Sequence, residues 1–555
     1  MTAGSSPPPA TPAKLRLRLR RPAWRRPGEW GWPWYQWLYA ALALLYTAPF
    51  WAVRFVPTTD GPCHLYNAWI LRHWGDIAHY PAVNAYFELA GKPFPNWLTH
   101  LLLAGLMWAA PPLVAEKLLL SGYVLLFLGG LWYLAGAVDR ERRWLAFVGF
   151  LLVYDAPLQW GFYNFCYSVG LFLIAVGYWW RRRDSFDLGV AVRLNLVLVL
   201  CYFAHLTSTV VALLAIAVLW LATLRREGLA RRWAQAAALA PQLLLPLWFL
   251  SAQRGKSYPT ADDLGALWTS FVRFDAFLGL DEQRRFAAVV QAVFALLLAL
   301  SIAARLRGRR RLPPPPRGTA AGAQGGDAGF LLLAAVLATV YLVAPDGMAG
   351  GGGLKMRLAL YPWLVLIPWL SPALRGGARA AAIVVLALLA ALDLGIVLRA
   401  YRQAEPQLEA FVHGMDRAAG DAVVMPLLFP RERGCAQPCY LAHASGYAAI
   451  AKRLVDWDNY EAVTGLFPLR FKDFASHDTL LYEARPQEVK PRELMRQVDY
   501  VYCWRMPRDQ PIARRLRRNL ALVADDGDSQ LFRSPRFQER EAPAAPPAPG
   551  LPPSP

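Results

Sequence analysis

Charged residues are scarce in this chain: Asp, Glu, Lys and Arg supply 18% of its 555 residues, against 56% hydrophobic ones. A soluble globular protein carries about 25% charge and shorter apolar runs, which excludes that class here. Cysteine is sparse too, with six in all. Cys63, Cys166 and Cys201 fall in or beside apolar segments, where an unpaired thiol acts as a small hydrophobe. Cys435 and Cys439 stand in Cys-Ala-Gln-Pro-Cys, where a disulfide and a reduced pair are both open. No second ligand pair follows them at zinc-site spacing. Missing as well are an internal repeat, a small-residue cleavage site after the first apolar run, and the polar–apolar alternation of a membrane β-barrel.

What is present is a series of apolar runs close to the roughly 20 residues that cross a hydrocarbon core of about 30 Å. Tyr35–Val53, Val114–Val138, Gly329–Pro345 and Ala380–Leu398 are examples. Backbone polar groups cannot stay unpaired in lipid, so each run is expected to be helical. The formal charge of +20 gathers between these runs, at Lys14–Arg26, Arg140–Arg143, Arg181–Arg183, Arg225–Arg232, Arg305–Arg317 and Arg375–Arg379. The alternate connections, around 54–95, 155–163, 204–206 and 346–356, are poor in Lys and Arg. That is the positive-inside pattern, and it places the basic connections in the cytoplasm. Anionic headgroups account for the charge, so a nucleic-acid partner is not expected.

The expected fold is a polytopic α-helical membrane protein of about eleven spanning helices, with juxtamembrane helices in the first outer loop and a C-terminal extracytoplasmic α/β domain. Residues 1–34 read as a disordered basic cytoplasmic N-terminus and 35–399 as the transmembrane domain. Within it, 55–112 form the first outer loop. Spans are expected at 35–53, 113–138, 144–155, 164–180, 188–204, 207–224, 233–250, 287–304, 329–345, 357–372 and 380–398. Asn96–Ala110 is apolar but short and closed by Pro111-Pro112. Were it to cross, the Arg140–Arg143 cluster would be external, so it reads as interfacial or re-entrant. The inner linker Leu312–Asp327 is Pro- then Gly/Ala-rich and reads as flexible. Residues 400–540 form a mixed domain, with strands expected at Ala422–Phe429, Asp499–Cys503, Leu520–Ala524 and Ser529–Phe532 and helices at Pro406–Ala418 and Arg492–Val498. A Pro/Ala tail, 541–555, follows. An odd number of spans starting inside puts the C-terminal domain outside.

Several polar residues collect at the outer connections. Pro57-Thr-Thr-Asp-Gly-Pro-Cys-His-Leu-Tyr-Asn67 follows the first span, with Asp60 and His64 four apart and so on one helix face. Asp60 suits a general base, and equally an N-cap with proline near N1. His64 reads as a hydrogen-bonding partner rather than a metal ligand. Lys92, in Gly-Lys-Pro-Phe-Pro-Asn-Trp, suits a phosphate contact or an ordinary snorkelling lysine. Asp155 sits in an aromatic connection, Tyr-Asp-Ala-Pro-Leu-Gln-Trp-Gly-Phe-Tyr, and membrane-embedded carboxylates are often functional. His205 reads as a helix-end hydrogen bond. Asp346-Gly-Met-Ala-Gly-Gly-Gly-Gly-Leu-Lys-Met-Arg357 carries Lys355 and Arg357 against the local charge trend, which points to an anionic partner such as a lipid phosphate.

Together these features resemble the GT-C superfamily of integral membrane glycosyltransferases, which includes protein mannosyltransferases and aminoarabinose lipid A transferases. In that family an acidic catalytic residue lies in the first outer loop, a position that Asp60 matches. Lys92-Pro93 is similar to the family's Lys-Pro segment, whose lysine contacts the lipid-linked donor. Arg357, with Tyr361-Pro362 after it, looks like the late-loop arginine that binds the same phosphate. Two departures stand out: Gly61 follows Asp60 where many members have a second acid, and Leu358 separates Arg357 from any following tyrosine.

The resemblance implies a polyprenyl-phosphate sugar as donor, with membrane lipid around it and an unknown glycan, lipid or protein as acceptor. Asp60 would be the base, Asp155 would orient base or acceptor, and His64, Lys92, Lys355 and Arg357 would bind substrate. No cofactor and no metal are expected. The setting implied is an inner (cytoplasmic) membrane with a cytoplasmic N-terminus and a periplasmic or extracellular C-terminal domain. Rival readings are a transporter or flippase, for which Asp393 inside the last span is the main support, a non-catalytic scaffold for envelope polysaccharide assembly, and a lipid-linked polymerase or ligase.

Overall fold

The computed structural model describes residues 33–224, 229–253, 263–311, 327–429, 439–472 and 486–537. The expected disordered N-terminus, but for its last two residues, lies outside these, as do nearly all of the inner linker, the Pro/Ala tail and Cys435. Helix α1 (Trp34–Leu45) stops short of the expected Val53. Pro49 cannot donate the bond that would continue it, and a separate turn, Ala48–Trp51, follows. The first outer loop then holds α2 (Gly61–Arg72), strand β1 (Phe87–Leu89) and α3 (Leu98–Leu106). With nine residues, α3 covers about 14 Å at the ~1.5 Å rise of an α-helix, half a hydrocarbon core. That length suits the interfacial reading of Asn96–Ala110.

The helical body comprises α4 (Pro112–Val138), α5 (Tyr163–Arg182), α6 (Leu188–Ala204), α7 (Leu206–Ala222), α8 (Ala287–Arg311), α9 (Ala328–Val343) and α10 (Gly376–His413). Among the described residues, four helices are long and apolar enough to cross a membrane: Pro112–Val138, Arg232–Ala252, Ala287–Arg307 and Gly376–His413. Leu188–Ala204, Leu206–Ala222 and Ala328–Val343 are shorter apolar helices.

Two expected spans take other forms. Of the span expected at 144–155, residues 144–151 belong to a 3₁₀ helix, Arg140–Leu151, which starts where the Asp139 carboxylate accepts from Glu141 N. Its tighter winding rises about 2.0 Å per residue and carries a short stretch further. Residues 357–372 break into Leu354–Leu358, Leu360–Leu366 and Ile367–Trp369 around Pro362 and Pro368, largely buried in the body. Asp393, the ionisable residue inside α10, is buried and accepts from Gln283 Nε2 at 3.0 Å.

The boundary expected at 399/400 falls inside α10, whose 38 residues extend about 57 Å, well beyond one hydrocarbon core. Hydropathy drops after Leu398 because Arg399, Arg402, Glu405 and Glu409 enter the sequence, yet the helix runs on. Its last turns pack under the C-terminal sheet, where Tyr502 Oη donates to the Phe411 carbonyl at 2.9 Å. That sheet has the order β3 (Val455–Asp456), β2 (Val423–Leu428), β5 (Tyr500–Trp504), β7 (Ser529–Arg533), β6 (Ala521–Asp525). β2 runs parallel to β3 and β5, whereas β7 is antiparallel to β5 and β6. The four expected strands are present, and β3 adds a fifth.

One further strand, β4 (Leu469–Phe471), pairs antiparallel with β1 of the first outer loop, Phe87 opposite Phe471. Helix α11 (Ser445–Lys452) packs on the start of α2 so closely that a Cβ at Gly446 would sit 2.5 Å from the Pro62 carbonyl oxygen. The first outer loop and the C-terminal region therefore lie on one side of the helical body. Ile77 and Leu522, 67% and 44% exposed, report on the two parts. Cysteines placed there singly are expected to react with an impermeant maleimide from the same side of sealed vesicles, over a low background because Cys63, Cys166, Cys201 and Cys503 are buried. Labelling from opposite sides would separate the two parts.

Candidate functional site

A cavity of about 730 Å³ opens where the connections expected on the outer side meet the C-terminal region. Asp60, His64, Lys355 and Arg357 line it together; Lys92 and Asp155 do not. Its wall is otherwise largely apolar, with Phe162, Phe165 and Phe467 among the aromatic faces. An apolar cleft with a few convergent charged groups is the usual form of a ligand site.

Asp60 stands at the N-cap position of α2, yet its side chain accepts no cap hydrogen bond. Of the two readings open for it, the cap therefore fails. Its carboxylate turns to the C-terminal region instead, where Tyr460 Oη donates to Oδ2 at 3.0 Å and His443 Nε2 lies 3.6 Å from Oδ1. His443 Nδ1 in turn faces Asp458 Oδ2 at 3.6 Å. Burial raises the Asp60 pKa above the ordinary carboxylate value, while His443, His64 and the Tyr460 hydroxyl pull it partly back.

The backbone of Asp60 is fixed separately. Thr59 N and Asp60 N donate to the Gln159 and Trp160 carbonyls at 3.1 and 3.0 Å. This contact needs two glycines. A Cβ at Gly161, where φ is +78°, would lie 2.4 Å from Gly61 N, and one at Gly61 would lie 2.1 Å from Tyr163 Oη. The second-acid position that Gly61 occupies thus has no room for a side chain. Asp155 acts on the same contact from outside the cavity. It caps the turn Ala156–Gln159 by accepting from Leu158 N at 2.9 Å, and Tyr123 Oη donates to its other oxygen at 3.2 Å. Asp155 is thereby a positioning residue for the turn that holds Asp60.

Arg357 lies over the ring of Phe162, 4.2 Å from its centre, and donates to the Gly352 carbonyl. Its Nε is buried without a hydrogen-bond partner among the described residues. Lys355 has a different task. Its Nζ donates to the Tyr341 and Leu342 carbonyls at the C-terminal end of α9, at 3.3 and 3.0 Å, where a cation meets the negative end of the helix dipole. Lys92 is exposed, with Nζ 5.6 Å from the centre of the Phe94 ring, three residues before the cavity-lining Pro95. His205 also lines the cavity and forms the expected helix-end bond, accepting from Thr207 N at 3.1 Å.

The C-terminal contribution is the part that linear spacing did not reveal. His443 and the half-buried Tyr460 reach Asp60, and Glu461 meets His64 and His100, these three buried. Glu116, near the start of α4, accepts from Tyr163 Oη at 2.8 Å and from Tyr447 Oη at 3.0 Å, joining the helical body to α11. The dense polar run Trp457-Asp-Asn-Tyr-Glu461 was a signal for this, since such a run must be solvated or paired.

This architecture, a helical body of apolar helices with the first outer loop clasped by a C-terminal sheet region, is shared with membrane proteins of known structure. Two solved structures of ArnT from Cupriavidus metallidurans are similar to it. The undecaprenyl phosphate-bound form matches at a TM-score of 0.51 with 13% identity, and the apo form at 0.50 with 12%; each match covers 90% of this chain and 97% of that one. At this identity the likeness is one of fold. No family model and no curated protein matches the chain.

Gly161→Ala is expected to cost at least about 1–2 kcal/mol from the left-handed backbone alone and to displace Asp60 as well. A thermal unfolding scan of the purified protein measures the first effect. An unchanged midpoint would mean that the turn carries no such constraint.

Proposed function

We propose that this chain is a membrane glycosyltransferase that moves a sugar from a polyprenyl-phosphate donor to an acceptor at the outer face of the membrane, with inversion at the anomeric carbon. The observation that carries the reading is the shared cavity: an acidic side chain released from helix capping faces the same space as an arginine about 300 residues further along the chain. The fold supports the same reading, and the ArnT structure with undecaprenyl phosphate is of a protein that holds such a lipid.

In the proposed step, Asp60 takes the proton as the acceptor hydroxyl or amine attacks the anomeric carbon. The bond from that carbon to the phosphate oxygen breaks, and polyprenyl phosphate leaves with the electron pair. Arg357 offsets the phosphate charge in a site poor in water, where a charge-assisted contact is strong. His443 and Tyr460 hold the Asp60 carboxylate toward the acceptor side, and Asp155 keeps the supporting turn in place. Lys92, exposed on the first outer loop, is available to the headgroup of an approaching lipid and not to the reacting carbon.

Asp60→Asn is expected to lower sugar transfer from a labelled polyprenyl-phosphate donor by about 10²–10⁴-fold, the usual contribution of a positioned acid–base group. Full activity in that variant sinks the assignment. Arg357→Gln should weaken the donor interaction while sparing the fold, seen as a raised KM for the lipid donor. The pH profile gives a third check. A base must be ionised, so kcat/KM is retained at higher pH and falls as pH drops through the raised Asp60 pKa. The acid limb is expected at higher pH than an unperturbed aspartate would place it.

A further inference from the structure

Beside the cavity, and not used by the step above, three buried side chains from distant parts of the chain bring their ligand atoms within 4.8 Å of one another: His64 on α2, His100 on α3 and Glu461 in the C-terminal region. His64 Nδ1 faces His100 Nε2 at 3.4 Å, and His100 Nε2 lies 2.8 Å from Glu461 Oε2. His64 Nδ1 also meets Glu461 Oε1. We propose that these three residues bind one zinc-type divalent cation that fastens the C-terminal region to the helices of the first outer loop.

The donor set and its spacing carry the argument. Two imidazoles and one carboxylate are the ligands of His₂Glu zinc sites, whose bonds of about 2.0–2.2 Å put neighbouring ligand atoms roughly 3.3 Å apart in a tetrahedron. The imidazole pair already has that separation, and the two Glu461 oxygens stand closer, each facing one imidazole. The outer partners suit metal binding too. His100 Nδ1 donates to the Asn96 carbonyl at 3.0 Å, which leaves the Nε2 lone pair for a cation. Asn67 Nδ2 donates to Glu461 Oε2 at 2.7 Å and to Asn459 Oδ1 at 3.0 Å, steadying the carboxylate. Among the described residues no fourth His, Cys, Asp or Glu joins the three. His64 also lines the cavity, so water or substrate supplies the remaining position.

The ion would thereby cross-link the start and end of the fold. It reinforces the β1–β4 pairing and the contact of α11 with α2 by drawing Glu461 onto both juxtamembrane helices. Metal bound at such a seam contributes its binding energy directly to the stability of the joined parts.

The test uses the full chain, tag-free and in detergent, and does not depend on sugar transfer. After chelation and desalting, titration with Co²⁺ is expected to give one equivalent per chain with the visible absorption of a tetrahedral site, displaced by Zn²⁺. Chelation should lower the unfolding midpoint, and Zn²⁺ should restore it. His100→Gln and Glu461→Gln are each expected to weaken binding by more than the roughly 10–100-fold that loss of an outer-shell partner costs, while His205→Gln, in the same cavity, keeps it. The wild-type titration stands even where a variant fails to fold. A folded wild type that takes up neither Co²⁺ nor Zn²⁺ overturns the proposal, as does equal binding by wild type and the ligand variants.

Discussion

Two backbone hydrogen bonds, from Thr59 N and Asp60 N to the Gln159 and Trp160 carbonyls, are the constraint on which the site depends. They form only because Gly161 has a positive φ and because neither it nor Gly61 carries a Cβ. Once they form, the entry to α2 is pinned against the aromatic turn, and the Asp60 carboxylate is turned away from its own helix. A buried carboxylate without donors is expensive, so partners must come from elsewhere. They come from residues 443 and 460, and the C-terminal region becomes part of the cavity rather than an appendage.

The same logic repeats along the seam. Glu116 is met by tyrosines from α5 and α11, and Glu461 by two histidines and Asn67 from the first outer loop. Each carboxylate sits where the helical body or the outer loop meets the C-terminal region. Breaking a buried polar joint by removing one partner costs more than the joint contributes as a whole, because the other partner stays buried. Burial keeps Asp60 basic, whereas the histidines hold Glu461 well below the usual carboxylate range despite its burial. Two carboxylates a few residues from one another in space are thus driven to opposite proton affinities.

Much of the fold was legible in the chain. Apolar runs at Val114–Val138 and Ala380–Leu398 had to be helices, and four C-terminal strands stood out against the polar background. The details that escaped have physical causes. Hydropathy marks the edge of the lipid and not the end of a helix, which is why α10 runs past the expected boundary. Pro49, Pro362 and Pro368 break runs whose composition alone reads as continuous. Lys355 and Arg357 look alike in sequence, yet one closes a helix end and the other faces the cavity. Asp155 attracts notice as a carboxylate among aromatics, and the structure shows it capping the turn Ala156–Gln159.

What the sequence determined by itself is the membrane-type helical body, the one-sided gathering of polar residues, and Asp60 as the acid of the first outer loop. These follow from local composition and from the cost of bare polar groups in lipid, which each segment carries with it. What only the tertiary structure decided is the company Asp60 keeps. His443, Tyr460 and Glu461 lie some 400 residues from the first outer loop, and no periodicity or spacing relates them to it. Their convergence depends on a glycine-tight turn, a strand pair between β1 and β4, and buried carboxylates that find donors only when both ends of the chain are in place.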